Sequence, residues 1–160
     1  MKRILILLAL LGTMLTGCEK PSTPDGNSPQ QELTPEQLLD AVQGRWIALS
    51  KEQTGGAQDS YREYTDGKKA PALFIEGTSI TRGKGDNSGE FITLEDQTGT
   101  FTIKDGKTFT WSFPQAAEGN LEMIFVLDGD QLFETCTNID NKIVQKFVFV
   151  KTDIPIRKRS

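Results

Sequence analysis

"GTFTIKDGKTFTWSF", residues 99–113, alternates apolar and polar side chains on both sides of an Asp-Gly pair. Phe109, Trp111 and Phe113 fall on one face, and Thr108, Thr110 and Ser112 on the other. Upstream, Phe101 and Ile103 alternate with Thr100 and Thr102. Successive strand side chains point to opposite faces, so this spacing describes two strands, each with one buried face. Asp105-Gly106 between them is a strong signal for a type I′ hairpin.

The same period continues outward. Further strands are expected at 45–51, 72–76, 78–82, 90–95, 120–127, 131–138 and 142–151, with turns at Glu76-Gly77, Asp128-Gly129 and Asp140-Asn141. Residues 52–70 and 83–89 are Gly-rich and polar and read as loops. Eight or nine short strands in succession form a meander, and a meander with bare edges invites pairing with other chains. The expected fold class is therefore all-β: an antiparallel up-and-down barrel of about eight strands. Its bore would be lined by Phe101, Ile103, Phe109, Trp111, Phe113, Met123 and Phe125. These are the candidate ligand-lining residues, because a barrel of this size is either filled by side chains or holds one small ligand.

One short helix precedes the strands. In "LTPEQLLDAVQG" (33–44), Thr34 is an N-cap, Pro35 suits the first helical position, and Gln37 completes a capping box. Leu33 and Leu38 match a hydrophobic staple, and Gly44 is a stop. The spacing predicts a helix over 35–43.

The chain of 160 residues has a net charge of −4 and no histidine. A net acidic chain without a basic stripe argues against nucleic acid as a partner. Arg157-Lys158-Arg159 reads as a solvated tail. With no imidazole, a catalytic triad and a zinc site are both disfavoured. Asp128-Gly129-Asp130 and Asp86 to Glu90 read as turns rather than calcium loops, having no EF-hand spacing. No cofactor and no enzymatic activity are expected. Of the two cysteines, Cys136 reads as a small buried hydrophobe.

The N-terminus has a different character. Lys2 and Arg3 precede the apolar run Ile4 to Leu11, the layout of a secretory signal peptide. The run is too short for a bilayer core, which needs about 20 residues. It ends in Leu15-Thr16-Gly17-Cys18, which resembles the lipobox of bacterial lipoproteins. That resemblance implies cleavage before Cys18 and lipidation of its side chain and new N-terminus. With Glu19 following, the family's sorting rule implies the outer membrane of a Gram-negative cell envelope. More than one acyl chain is needed for stable anchoring, and this family supplies them. Pro21, Pro24 and Pro29 among Ser, Thr, Asn and Gln make 19–33 a disordered, extended tether. The expected organisation is a signal peptide over 1–17, the lipidated cysteine and tether over 18–33, and the barrel over 34–160.

Gly44-Arg45-Trp46, directly after the helix, resembles the G-x-W start of lipocalins. The layout of short helix, G-x-W and meander ending in the apolar strand 143–151 is similar to lipocalin-like lipoproteins. The resemblance implies that Trp46 closes one end of the barrel, with Arg157 the candidate for the basic residue that covers it. It also implies a small apolar or amphipathic ligand. The alternative is an accessory of an envelope complex, its barrel filled and its loops 52–70 and 83–89 in contact with a protein partner.

Overall fold

Helix α1 (Pro35–Val42) begins at the capping box read from the sequence. The Gln37 amide donates to Thr34 Oγ1 at 3.2 Å, and the Thr34 amide donates to Gln37 Oε1 at 2.9 Å. Its buried residues, Leu38 and Val42, face the barrel. The Gln43 side chain ties the helix end to Gly77: its amide nitrogen donates to the Gly77 carbonyl at 3.0 Å, and its oxygen accepts from the Gly77 amide at 2.7 Å. Gly44 then turns the chain with φ +107°, a conformation open to glycine and rarely to other residues.

The structure, a computed structural model, describes residues 32–112 and 120–157, all in the unit Gln31–Ser160. Phe113, Cys18 and the expected signal peptide lie outside the described residues, as does the tether up to residue 31. The strands are β1 (Gly44–Thr54), β2 (Ser60–Glu63), β3 (Pro71–Glu76), β4 (Ser79–Gly85) and β5 (Ile92–Ile103), then β6 (Thr108–Ser112), β7 (Leu121–Asp128), β8 (Gln131–Asn138), β9 (Ile143–Lys151) and β10 (Ile156–Arg157). Eight of them, β1 and β3 to β9, pair antiparallel with their neighbours in chain order. The β9–β1 ladder closes the ring. The all-β, up-and-down barrel with one short helix is thus the observed fold.

One end is plugged by α1 and by tight turns. Gly77 and Gly129 hold φ +57° and +60° at the first central position of two-residue turns, where a type II′ turn calls for glycine. The Asp105-Gly106 connection differs from expectation. It is a four-residue loop in which Asp105 Oδ1 accepts from the Lys107 and Thr108 amides at 3.0 and 2.8 Å. Gly106 lacks a positive φ because its role is contact: a Cβ there would meet the Leu33 backbone.

Three other expectations are corrected. Residues 52–70 are not all loop, since β1 runs on to Thr54 and pairs with β2. All four β2 residues are exposed, so no apolar alternation marked the strand. Residues 83–85 belong to β4. The expected strands at 90–95 and near 99–104 are one strand, β5, interrupted by a bulge at Glu95–Gln97 opposite Arg82. The C-terminus is also more than a solvated tail. Ile154 and Ile156 cover Ile47, Ala70, Ala72 and Ile92 on the outside of the barrel, β10 pairs parallel with β5, and Arg157 lies 3.9 Å from Asp86.

Small residues make this outer layer fit. At Gly85 a Cβ would strike the Gly67 carbonyl, and backbone cannot move aside as a side-chain tip can. Gly85→Ala is expected to lower the thermal midpoint by several degrees, on the order of 1–3 kcal/mol. An unchanged midpoint in calorimetry would contradict this packing.

The Asp86 turn carries a pH dependence. Hydrogen bonds from the Ser88 hydroxyl first, and also from backbone amides, hold its carboxyl below the ordinary aspartate range. A depressed folded pKa contributes stability above the unfolded value of about 3.9 and loses it as pH falls further. Amide protection over 86–91, taken relative to the intrinsic exchange rate at each pH, is therefore expected to hold at pH 7 and to be lost below about pH 4. Asp86→Ala should lack that protection already at pH 7, and equal protection in both proteins would count against the turn as its cause.

Candidate functional site

The bore is best read in rows across the strands. Nearest the plug, Trp46 pairs with Leu73 on one side and Lys151 on the other. Its indole Nε1 donates to the Val42 carbonyl at 2.8 Å. Lys151 Nζ stands 5.5 Å from the Trp46 ring centre, so Lys151 covers the tryptophan. Arg157, the residue expected there, lies instead over Phe91 at 3.9 Å, because β10 runs along β5. A cleft of about 380 Å³ at this end is lined by Ala41, Trp46, Leu127 and Lys151, among others.

Past a row of Leu127, Leu132, Phe149 and Ala48 stand Phe109, Phe125, Glu134, Phe147 and Lys51, each opposite the next in register. Above these run Phe101, Trp111, Met123, Cys136, Gln145 and Gln53. Five of the candidate ligand-lining residues face inward and are at most 5% exposed: Phe101, Phe109, Trp111, Met123 and Phe125. Ile103 is half-buried against the same cluster. Their surfaces are spent on one another. Phe101 and Phe109 ring centres are 4.7 Å apart, Phe109 stacks on Phe125 at 4.9 Å, and Trp111 meets Phe125 edge-on at 6.4 Å. A side chain lining a water-sized void would keep exposed area, so Phe109, Phe125, Leu132 and Phe149 at 0% form a solid floor.

Above the floor lies what alternation did not reveal. Arg82 on β4 forms an ion pair with Glu134 on β8 through Nη2. These strands stand four places apart in either direction around the ring, so the pair spans the bore as a crossbar. Arg82 Nη2 is also 3.5 Å from Met123 Sδ, and the guanidinium lies over the Trp111 ring at 5.0 Å. Glu134 is 1% exposed, and its Oε2 has no hydrogen-bond partner. Opposite charges 52 residues apart in sequence leave no local pattern. The usable signal is only that Glu134 occupies an inward position of the apolar strand β8.

Lys51 and Gln53 face the bore for a second unexpected reason. The β1–β9 register slips between Ala48 and Ser50, leaving Leu49 as a bulge. The extra residue reverses the parity, and Lys51 comes to lie on Phe147, its Nζ 5.5 Å from the ring centre. The Gln145 side-chain amide donates to Gln53 Oε1 at 2.9 Å. Beside them, Leu121, Cys136, Asn138, Asn141, Ile143 and Gln145 line a cup of about 150 Å³ at the mouth. No group of three or more His, Cys, Asp or Glu side chains among the described residues is placed to hold a metal ion.

No family model matches this chain, and no curated protein matches it closely enough to be counted a relative.

The crossbar makes a sharp stability prediction. Arg82→Met leaves the buried Glu134 carboxyl without its partner and should cost about 3–5 kcal/mol. Glu134→Gln leaves a cation that is partly solvated, a smaller penalty. The double variant Arg82→Met/Glu134→Leu should recover most of the loss, since well-packed apolar replacements of buried ion pairs are often neutral or stabilising. Urea unfolding of the three variants checks the order, and additive losses in the double variant would contradict the pairing.

Proposed function

We propose that this chain is a lipid-anchored, lipocalin-like binding module of the cell envelope, held by Cys18, whose working face is the mouth of the barrel. A solid aromatic floor excludes a ligand that fills the bore, so only the mouth half is available. The observation that carries this reading is the crossbar itself. A buried ion pair is no more stabilising than apolar side chains of the same volume. Its presence in the bore, with Lys51, Gln53 and Gln145 on the same inner face beside a cup with convergent polar groups, supports a binding site. The ligand is small and amphipathic, with its polar end towards Arg82 and Glu134. Leu33 and Glu32 lie beside Gly106 at the closed end, opposite the mouth.

A second reading, an interaction accessory of an envelope complex, draws on the exposure of Tyr61 at 64% and Ile139 at 57%. They are single side chains rather than a contiguous patch, and scattered exposed apolar residues are normal. The binding reading is therefore the stronger.

Native mass spectrometry of protein extracted from envelopes tests it. One small-molecule adduct per chain is expected. It should be lost in Ile143→Trp, which fills the cup, with folding intact by circular dichroism. Cys18→Ser should move the protein from the membrane to the soluble fraction. A chain that stays free of adduct through lipid and metabolite challenge would leave the accessory reading in its place.

A further inference from the structure

We infer that the outer face of β7, β8 and β9 is a dimer interface, on which a second copy of this chain lays the same face about a two-fold axis running along β8. This goes beyond the binding-module reading and does not depend on it.

Alternation lapses on these strands. β7 reads "MIFVL" over 123–127 and β9 reads "FVFV" over 147–150, apolar without a break. Met123, Phe125, Leu127, Phe147 and Phe149 are buried in the bore, so Ile124, Val126 and Val148 point outward. Phe133, between the buried Leu132 and Glu134, points outward from β8. A sheet with one solvated face shows clean alternation, whereas continuous apolar runs mark strands covered on both faces. The outer face of β5 and β6 follows the first pattern, with Thr100, Thr102, Thr108 and Thr110.

The barrel has two apolar areas on its outside and covers one of them. Ile154 and Ile156 lie over Ile47, Ala70, Ala72 and Ile92. Ile124, Val126, Phe133 and Val148 are half-buried and belong to neither apolar cluster formed by the described residues. They are neighbours in register, so they form one strip rather than scattered side chains.

The order of residues across the strip selects a second copy as its cover. Thr108, Val126, Phe133, Val148 and Ser50 stand opposite one another on five successive strands. The row reads hydroxyl, valine, phenylalanine, valine, hydroxyl from either end. A two-fold axis along β8 sets Phe133 on Phe133 of the second copy, each Val126 on the other copy's Val148, and each Thr108 on the other copy's Ser50. An isologous interface requires this self-complementarity. Sheets packed face to face keep their strands near-aligned, as such an axis does.

Charge agrees with the same occupant. The row carries no charge, although the chain is −4 overall. The next row is Thr110, Ile124, Thr135, Lys146 and Glu52, where the one cation stands opposite the one anion of the adjoining strand. The two-fold sets Lys146 on Ile124 and Glu52 on Thr110, so no like charges meet.

Sedimentation equilibrium of the full chain in density-matched detergent tests the interface. A reversible dimer with a dissociation constant on the order of 10 µM or tighter is expected. Phe133→Lys should weaken it about tenfold or more. Thr102→Lys, on the exposed threonine face, should leave it unchanged. Val126→Lys and Val148→Glu should each weaken it, and the double variant should recover most of the loss, because each cation then meets the other copy's anion. All four positions face outward, and circular dichroism checks the fold of each variant. A wild-type chain still monomeric at about 0.1 mM, an unchanged dimer in Phe133→Lys, or an equal loss in Thr102→Lys overturns the interface. A double variant no better than its singles overturns the two-fold along β8. The ligand reading at the mouth stands or falls separately, on the adduct.

Discussion

The β9–β1 ladder is the constraint on which the rest of the molecule depends. It pairs Trp46 with Lys151 at one end and Thr54 with Val144 at the other, joining the first strand of the barrel to its last. Such a contact comes late and at an entropic cost, because it closes a loop that contains nearly the whole domain. In return it removes both open edges of the meander at once. It also creates an inside. Phe147 and Phe149 on β9 become core residues only because β1 places Ala48 and Lys51 beside them on the same face. The plug helix, the aromatic floor and the crossbar all presuppose that inside.

A single extra residue in that ladder sets the character of the mouth. With strict alternation, Trp46, Ala48 and Ser50 would share the inner face and Lys51 would point to solvent. The bulge at Leu49 puts Leu49 partly outside and turns Lys51 and Gln53 inward. The bulge at Glu95–Gln97 does comparable work on the far wall, where it faces Arg82. Bulges re-aim side chains without breaking a sheet. Here the two interruptions flank the charged half of the bore, while the floor below Phe109 and Phe125 keeps regular register.

The closed ring and the helix were legible in the sequence because their signals are local. Thr34, Pro35 and Gln37 specify a helix start by themselves. Phe109 and Trp111 against Thr108 and Thr110 specify a face by themselves. The inward direction of Phe101, Trp111, Met123 and Phe125 followed from that period. What the period could not convey was whether these rings line a void or fill it, since that depends on distances between strands far apart in sequence. It was silent on β2, whose residues are all exposed, and it hid Lys51 behind a parity change. Arg82 and Glu134 were invisible as a pair because their meeting is a property of the ring, four strands across.

Stability and chemistry are thereby assigned to different parts of one small barrel. Below the crossbar, large side chains at or near zero exposure supply the burial that holds the fold. Outside, the C-terminal segment adds a second apolar layer over Ile47, Ala70, Ala72 and Ile92, so the wall is supported from both faces at the level of β1, β3 and β5. Neither layer needs the mouth. Glu134 shares the row of Phe109, Phe125 and Phe147, and Arg82 reaches it from β4 across the bore. Of the two members, Arg82 keeps 19% of its side-chain exposure and Glu134 keeps none. The cost of keeping Glu134 dry is then borne where it leaves a partly hydrated guanidinium available to whatever enters the mouth.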